Sequence, residues 1–478
     1  MILTSLLLAS TLTAQPLHDP FGVAWGFLYG YSGVPAPVYM PELRKLGGSW
    51  SKIYVIWNQI EPSPGKYDWK SIDTFVKQLR SPEEGLISVF SASTWATRAS
   101  AAILPPSPAK KPADYDRFIR ELVKHCRGRV RYWQNDSEAS NPIYWSGTAS
   151  EFVDETKVFY RAVKESDPKA QVVLGGYDGL FNPTGTPFPG QQRGLTFFDE
   201  VLRNAKDSFD IFDLRLYANA YTIPDRVEYM RKKMTDLGYD KPIVCTEYNG
   251  PGFFDMAENR PFIPLVMAWS ASIANQAKAV GGGEGVAGLY NRTDLSPQTQ
   301  MFLMNAPPAL DEKLRRMQCR DLVQRNLLAL SAGVRRTMFW DLSHDTSKRD
   351  DVMTLMYGKL KMFDFENGRF TKRYPMADAF ARMTRALRGV RSVRRIPVEE
   401  SPAIYLFEAD CGRRGPVYVA WRKGDPFKDE EAQSPFAFAW TGKSASGVDA
   451  LGKKVATEVT DGKVSFPLTL TPTFVSQK

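Results

Sequence analysis

The sequence predicts an α/β chain: a (β/α)8 barrel followed by a small all-β sandwich. Three observations predict it. Apolar runs alternate with amphipathic stretches from Phe21 to Trp340, the rhythm of parallel strands joined by crossover helices. Two of those runs, Arg131-Tyr-Trp-Gln-Asn-Asp-Ser-Glu138 and Lys241-Pro-Ile-Val-Cys-Thr-Glu247, each end on a single glutamate. Their spacing, 247 − 138 = 109 residues, is about three units of a barrel built from roughly 30 to 40 residues per unit. Past residue 390 the pattern changes to short alternating strands separated by turns.

Taken in order, Phe21 to Phe27 reads as the first strand, and a helix over Pro41 to Leu46 stops at Gly47-Gly48. Ser51 to Trp57 is the second strand; the turn-rich Asn58 to Trp69 feeds an amphipathic helix over Ser71 to Leu79. Gly85 to Ser91 is the third strand, with Trp95 just beyond it, and Pro112 to His125 is a helix. The fourth strand carries Glu138. A helix from Thr148 to Glu165 precedes strand five, Gln171 to Gly175, and strand six, Asp210 to Tyr217. The seventh strand carries Glu247, and Val334 to Trp340 is the eighth. Between them lie a helix over Pro264 to Ala279 and an inserted Gly- and Asn-rich segment, Gly281 to Pro308. A last helix, Pro375 to Leu387, leads to strands at Ala403 to Phe407, Pro416 to Trp421, Phe436 to Trp440 and Lys463 to Leu468. The expected division is therefore a leader over residues 1–14, a barrel over 15–389 and a β module over 390–478.

The first residues, Met1 to Ala14, are apolar and end on a small residue, the form of a secretory leader, so a secreted or periplasmic location is expected. No later stretch approaches about 18 uninterrupted apolar residues, so no membrane insertion is expected. Lys and Arg exceed Asp and Glu by 62 − 53 = +9, but the cations are interspersed with acids and form no stripe with aromatics between them, which argues against nucleic acid. The four cysteines stand far apart and, with only three histidines, form no metal-ligand spacing, so neither metal nor other cofactor is expected. Cys245, two positions before Glu247, is expected to share its face of the strand and to line the barrel interior. The 11 Trp and 20 Tyr exceed what packing alone usually needs and suit surfaces on which sugar rings stack, although most fill the core.

Two carboxylates at strand ends can divide acid–base from nucleophilic work, as cleavage of a glycosidic bond requires. Trp57-Asn-Gln-Ile-Glu-Pro-Ser-Pro-Gly-Lys-Tyr-Asp-Trp69, the Glu138 strand with Tyr144-Trp145-Ser-Gly-Thr148, Ser166-Asp-Pro-Lys-Ala-Gln-Val-Val-Leu-Gly-Gly176 and the Glu247 strand together resemble the clan A glycoside hydrolases, nearest to family 39-like and family 5-like enzymes. The resemblance runs in order from Phe21 to Trp340, and the trailing β module looks like the sandwich such enzymes append. It implies a retaining glycosidase acting on a β-linked oligo- or polysaccharide, with Glu138 as acid/base and Glu247 as nucleophile. It further implies that Tyr217 bonds the nucleophile and that Trp340 floors the subsite of the cleaved sugar. Trp95 is a second expected sugar contact. Lys52 stands where the clan usually has arginine, and Arg215 where histidine is common. Before the acid/base the clan has Asn-Glu-Pro; here the residues are Ser137-Glu138-Ala139, so the contact to the sugar 2-hydroxyl passes either through water from Ser137 or to Asn135 or Asp136. Two other outcomes fit the same residues: a carbohydrate-binding barrel without turnover, and a transglycosidase. The Glu61-Pro62 loop reads as structural.

Overall fold

The computed structural model describes residues 17–26, 38–177, 190–274 and 282–477; Met1 to Ala14 and the last residue of the expected first strand, Phe27, fall outside them. Eight parallel strands close in chain order: β1 (Phe21–Val23), β2 (Trp50–Ile56), β3 (Glu84–Phe90), β4 (Tyr132–Asn135), β5 (Gln171–Tyr177), β6 (Ile211–Leu214), β7 (Ile243–Tyr248) and β8 (Thr337–Phe339). Phe21 pairs with Thr337 and Val23 with Phe339, which joins the first strand to the last and leaves no open sheet edge.

Alternation along the strands creates two buried layers. Ile53, Val55, Ile87, Val89, Val172 and Leu174 pack outward with Phe118, Ile119, Leu122 and Phe159 of the surrounding helices. Trp50, Ile56, Leu86, Val173, Val244 and Met338 fill the interior. Parallel strands covered on both faces in this way need apolar residues at nearly every position. The helices Pro112–Cys126 and Ala149–Ser166 supply much of the outer layer. The second starts at Thr148, whose hydroxyl accepts from the Glu151 N–H at 3.2 Å while the Glu151 carboxylate accepts from the Thr148 N–H at 2.8 Å, a cap of about 1 kcal/mol.

The eight barrel strands overlap the sequence expectation, whereas the helices Gln191–Asn204 and Ile223–Asp236 and several sandwich strands are not named from sequence; two further differences are informative. A 24-residue helix, Pro308–Ser331, is not among the elements expected from sequence. Its buried side includes Arg315, Arg320 and Arg325, and these charges break the apolar periodicity that marks a helix. Cys245 does not line the barrel interior: it packs in the outer layer. The pairing of β7 with β8 shifts register between Cys245 and Tyr248, and this irregularity breaks the alternation that would have placed Cys245 and Glu247 on one face.

The C-terminal strands form two antiparallel sheets. One has six strands, ordered Ser392–Ile396, Ile404–Asp410, Pro416–Arg422, Thr473–Gln477, Ala445–Asp449 and Lys454–Val455; the other has three, Ser434–Ala439, Lys463–Leu468 and Glu458–Thr460. Leu406, Ala420 and Val475 of the first meet Phe436, Val464 and Phe466 of the second, making a sandwich core. The alternate residues Tyr405, Phe407 and Trp421 face the other way and join the barrel's outer core. There the Trp421 ring stacks on Tyr405 at 5.5 Å, and its Nε1 donates to the Tyr221 hydroxyl at 3.0 Å. Arg316 and Arg320 of the long helix both reach Glu430 at 2.6 Å. We propose the boundary between barrel and module near Val390, between the helix Pro375–Ala386 and the first sandwich strand.

Among the described residues no helix is long and apolar enough to cross a membrane. Cys126, Cys245, Cys319 and Cys411 are all free and buried. Thiol titration should therefore label none of the four in the native protein within minutes and all four in denaturant without reductant; fewer than four in denaturant would reveal a disulfide that this fold does not contain.

Candidate active site

A row of polar side chains crosses the barrel interior beneath its carboxyl-end mouth. Ser88 of β3 donates to the Gln134 carbonyl of β4 at 2.5 Å, and the Gln134 amide donates to Asp213 Oδ2 of β6 at 2.7 Å. Asp213 also accepts from Thr246 of β7, from the backbone N–H at 2.8 Å and the hydroxyl at 2.6 Å. With its proton committed to Asp213, the Thr246 oxygen is an acceptor for two cations: Lys52 Nζ of β2 at 3.2 Å and Arg215 Nη1 at 2.9 Å. The polar row thus fixes where two positive charges stand.

Those charges meet Glu247. Its Oε1 lies 2.5 Å from Lys52 Nζ, 2.6 Å from Arg215 Nη1 and 3.5 Å from the Ser137 hydroxyl, and also accepts from the Tyr54 hydroxyl. Its Oε2 accepts from the Tyr217 hydroxyl at 2.8 Å. Burial raises the Glu247 carboxyl above the usual carboxylate range, and Lys52 pulls it the other way. Burial, reinforced by the Arg215 charge beside it, brings Lys52 down to about 8 against the opposing pull of Glu247 and Asp213. Burial likewise pushes the Tyr217 phenol well up, so it keeps the proton that it donates to Glu247.

Glu138 enters from the far side of the same arginine. Arg215 Nε lies 3.8 Å from Glu138 Oε1, so one guanidinium spans both sequence-predicted carboxylates. Its Nη2 fixes Ser137, donating to the hydroxyl at 2.6 Å and the carbonyl at 3.0 Å. The Arg215 side chain passes so close to β5 that a Cβ on Gly176 would sit 2.3 Å from Nε; only glycine leaves it room. Glu138 is less enclosed than Glu247, with 13% of its side chain exposed against 7%, and it lies on the wall of a 390 Å³ cavity that also touches Tyr217 and Asn249.

The turn between β4 and Glu138 explains which neighbours join the group. Asp136 adopts φ 60°, a left-handed conformation that reverses the strand's alternation. Ser137 then faces Arg215, whereas Asp136 is buried, its carboxyl pushed well up by burial and further by nearby Glu155. Asn135 is turned to the helix layer, accepting from the Tyr115 hydroxyl at 2.6 Å and donating to Thr156 at 3.2 Å.

Of the sequence-predicted residues, Lys52, Ser137, Glu138, Arg215, Tyr217 and Glu247 thus come together. Trp340 is beside them, its ring edge-on to Tyr54 at 5.5 Å and 6.0 Å from Lys52 Nζ. Asn135 and Trp95 have their described contacts elsewhere: Trp95 donates to the Glu61 carbonyl at 3.0 Å and packs on Trp57. Glu61 itself is fully buried, holding Trp57 Nε1 at 2.8 Å and Arg117 at 2.6 Å, which fits its structural reading. Tyr54, Asp213, Thr246 and Gln134 escaped the sequence reading. Two-residue spacing from Lys52 and Arg215 would have found Tyr54 and Asp213. Among the described residues no cluster of three or more His, Cys, Asp or Glu is arranged to hold a metal ion.

A closed parallel barrel followed by a β sandwich is the clan A glycoside hydrolase-like fold, and solved structures share it. The chain is similar to a family 39 glycoside hydrolase from Bacteroides cellulosilyticus WH2, with 14% identity and a TM-score of 0.64 over 97% of this chain and 81% of that one. It is also similar to a family 39 β-xylosidase from Caulobacter crescentus (13% identity, TM-score 0.56, 97% and 98% covered). A family 51 α-L-arabinofuranosidase from Bifidobacterium longum shares the fold as well (13% identity, TM-score 0.55, 97% and 96% covered). No family model and no curated protein matches the sequence.

The depressed Lys52 has a measurable consequence. An unfolded lysine titrates near 10.4, so between pH 8 and about 10.4 the unfolded chain binds a proton that the folded chain does not, and stability rises with pH. Denaturation of the wild type and of Lys52→Met should show the wild type gaining on the variant by about 1.4 kcal/mol per pH unit across that window. A difference independent of pH would mean that Lys52 keeps its proton in the fold.

Proposed function

We propose that the chain is a retaining glycoside hydrolase acting on a β-linked oligo- or polysaccharide, with Glu247 as nucleophile and Glu138 as acid/base. The observation that carries this reading is the single guanidinium, Arg215, lying between the two carboxylates at the barrel mouth. Glu247 is the enclosed member, its Oε1 met by two cations and the Tyr54 hydroxyl, partners that offset the cost of burying its ionised form and orient it for attack. Glu138 is the more open member and sits on a cavity wall, where a proton can pass to a departing oxygen.

In the first step a Glu247 oxygen forms a bond to the anomeric carbon as the glycosidic C–O bond breaks and its oxygen takes the Glu138 proton. In the second, Glu138 removes a proton from water, whose oxygen displaces Glu247. Tyr217 steadies the attacking carboxylate through Oε2, and Trp340 forms the floor beside it. Ser137, held by Arg215, stands nearest the sugar 2-hydroxyl in place of the clan's asparagine.

A panel of aryl glycosides with plant and microbial polysaccharides is the first screen. On any substrate that turns over, Glu247→Gln should lower kcat by a factor on the order of a thousand. Glu138→Ala should be partly rescued by azide when the leaving group is good. Tyr217→Phe, which removes one hydrogen bond to the carboxylate, should cost about ten- to hundredfold. Near-normal turnover in Glu247→Gln would remove the assignment, and saccharide binding without turnover in the wild type would favour the binding-barrel reading.

A further inference from the structure

The cavity beside Glu138 belongs to one side of the site only. Glu138 and Tyr217 lie on its wall, but Glu247, Lys52, Arg215 and Trp340 do not. Because the acid/base touches the departing oxygen while the nucleophile lies under the cleaved sugar, a space that opens from Glu138 away from Glu247 is where the leaving group sits. Its volume, 390 Å³, is within the roughly 300–1,000 Å³ of small-molecule sites.

The wall of this space is mainly apolar, with Ser140, Gln191, Arg193 and Ser270 among its polar members. Phe254, Met267, Trp269, Met353, Met356 and Tyr357 line it, a set of flat rings and adaptable thioethers. Several polar side chains on the wall already bond to the chain itself. Asn141 accepts from the Ile143 N–H at 3.1 Å, Asn249 donates to the Trp340 carbonyl at 2.9 Å, and Asp255 accepts from the Gly252 N–H at 2.8 Å. Met267 and Trp269 come from the helix Ile263–Ala274, which carries no charged residue yet leaves Pro264, Met267, Ala268 and Ala271 exposed. Among the described residues only two large hydrophobic side chains are exposed, Ile103 and Met267, and Met267 is on this wall. A second sugar presents hydroxyls around its whole rim and would leave most of them facing thioether and ring carbon, at a cost in unmade hydrogen bonds.

We propose that the leaving group is an apolar aglycone, an aromatic ring system or an alkyl chain, attached to the cleaved sugar through oxygen. This rests on the retaining-hydrolase reading above and departs from it in the substrate, a β-glycoside of an apolar alcohol or phenol in place of an oligo- or polysaccharide. The products are the free sugar and the aglycone alcohol or phenol: the alcohol keeps the glycosidic oxygen and takes its proton from Glu138, and water supplies the oxygen gained by the sugar.

Matched pairs of substrates test it, using the full chain and a sugar that it is found to hydrolyse. Octyl and methyl glycosides share an alkanol leaving group, and naphthyl and phenyl glycosides share a phenol of similar acidity. Octyl should exceed methyl, and naphthyl exceed phenyl, by about tenfold or more in kcat/KM. Both ratios should fall toward one in a Trp269→Ser/Met356→Ser variant and stay unchanged in Ile103→Ser, an exposed apolar position away from the cavity wall. Equilibrium binding of free naphthol, followed by its fluorescence, reads the cavity without turnover and should weaken about tenfold in the double variant. Ratios near one in the wild type, a disaccharide of the same sugar cleaved faster than its octyl glycoside, or no saturable naphthol binding would each overturn the proposal. Naphthol binding that weakens in the double variant, in a protein that hydrolyses no glycoside, would support the apolar cavity and place the failure in the hydrolase reading.

Discussion

Everything at the mouth of this barrel depends on one buried electrostatic arrangement: two cations, Lys52 and Arg215, held among the carboxylates Asp213, Glu247 and Glu138. Taken singly, each charge would cost several kcal/mol to bury. Together they are tolerated because Thr246 commits its proton to Asp213 and its oxygen to both cations, so that every charge has a partner at a defined distance. Asp213, fixed in turn by Gln134 and Ser88, anchors the row from β6. The chemistry assigned to Glu247 is a consequence of this framework, since a carboxylate free to rotate would face the anomeric carbon only part of the time.

The two sides of the site are built from different materials. Around Glu247 the surroundings are charged, hydroxylic and almost fully enclosed. On the far side of Glu138 from Arg215 the cavity wall is mainly thioethers and aromatic rings, many of them on segments that follow β7 and β8. This division matches a general property of the barrel, in which strand ends carry the chemistry and the connecting segments carry selectivity.

The barrel was legible because its signal is repetitive: each strand is an apolar run of the right length, and Glu138 and Glu247 stand about three units apart. What escaped did so where alternation fails. Asp136 with its left-handed φ and the register shift in β7 each reverse the facing of the residues after them. Ser137 therefore enters the site in place of Asp136, and Glu247 turns inward beside Thr246. Asn135 and Cys245, which precede the irregularities, keep the outward facing that alternation with Gln134 and Val244 gives them. The helix Pro308–Ser331 was hidden for another reason, because its arginines are buried in ion pairs that residue-by-residue polarity cannot anticipate. Tyr357 reaches Tyr217, 6.1 Å away between ring centres, across 140 residues of chain, and no local pattern announces such a contact.

The central claim is that Glu247 itself attacks the sugar, and stereochemistry tests it directly. Proton NMR of the reacting mixture, recorded before mutarotation, shows which anomer is released first. Attack by Glu247 followed by water at the same carbon inverts twice, so a β-glycoside should yield the β-anomer. First release of the α-anomer would mean that water attacks directly, and the framework around Glu247 would then have to be read as holding a base.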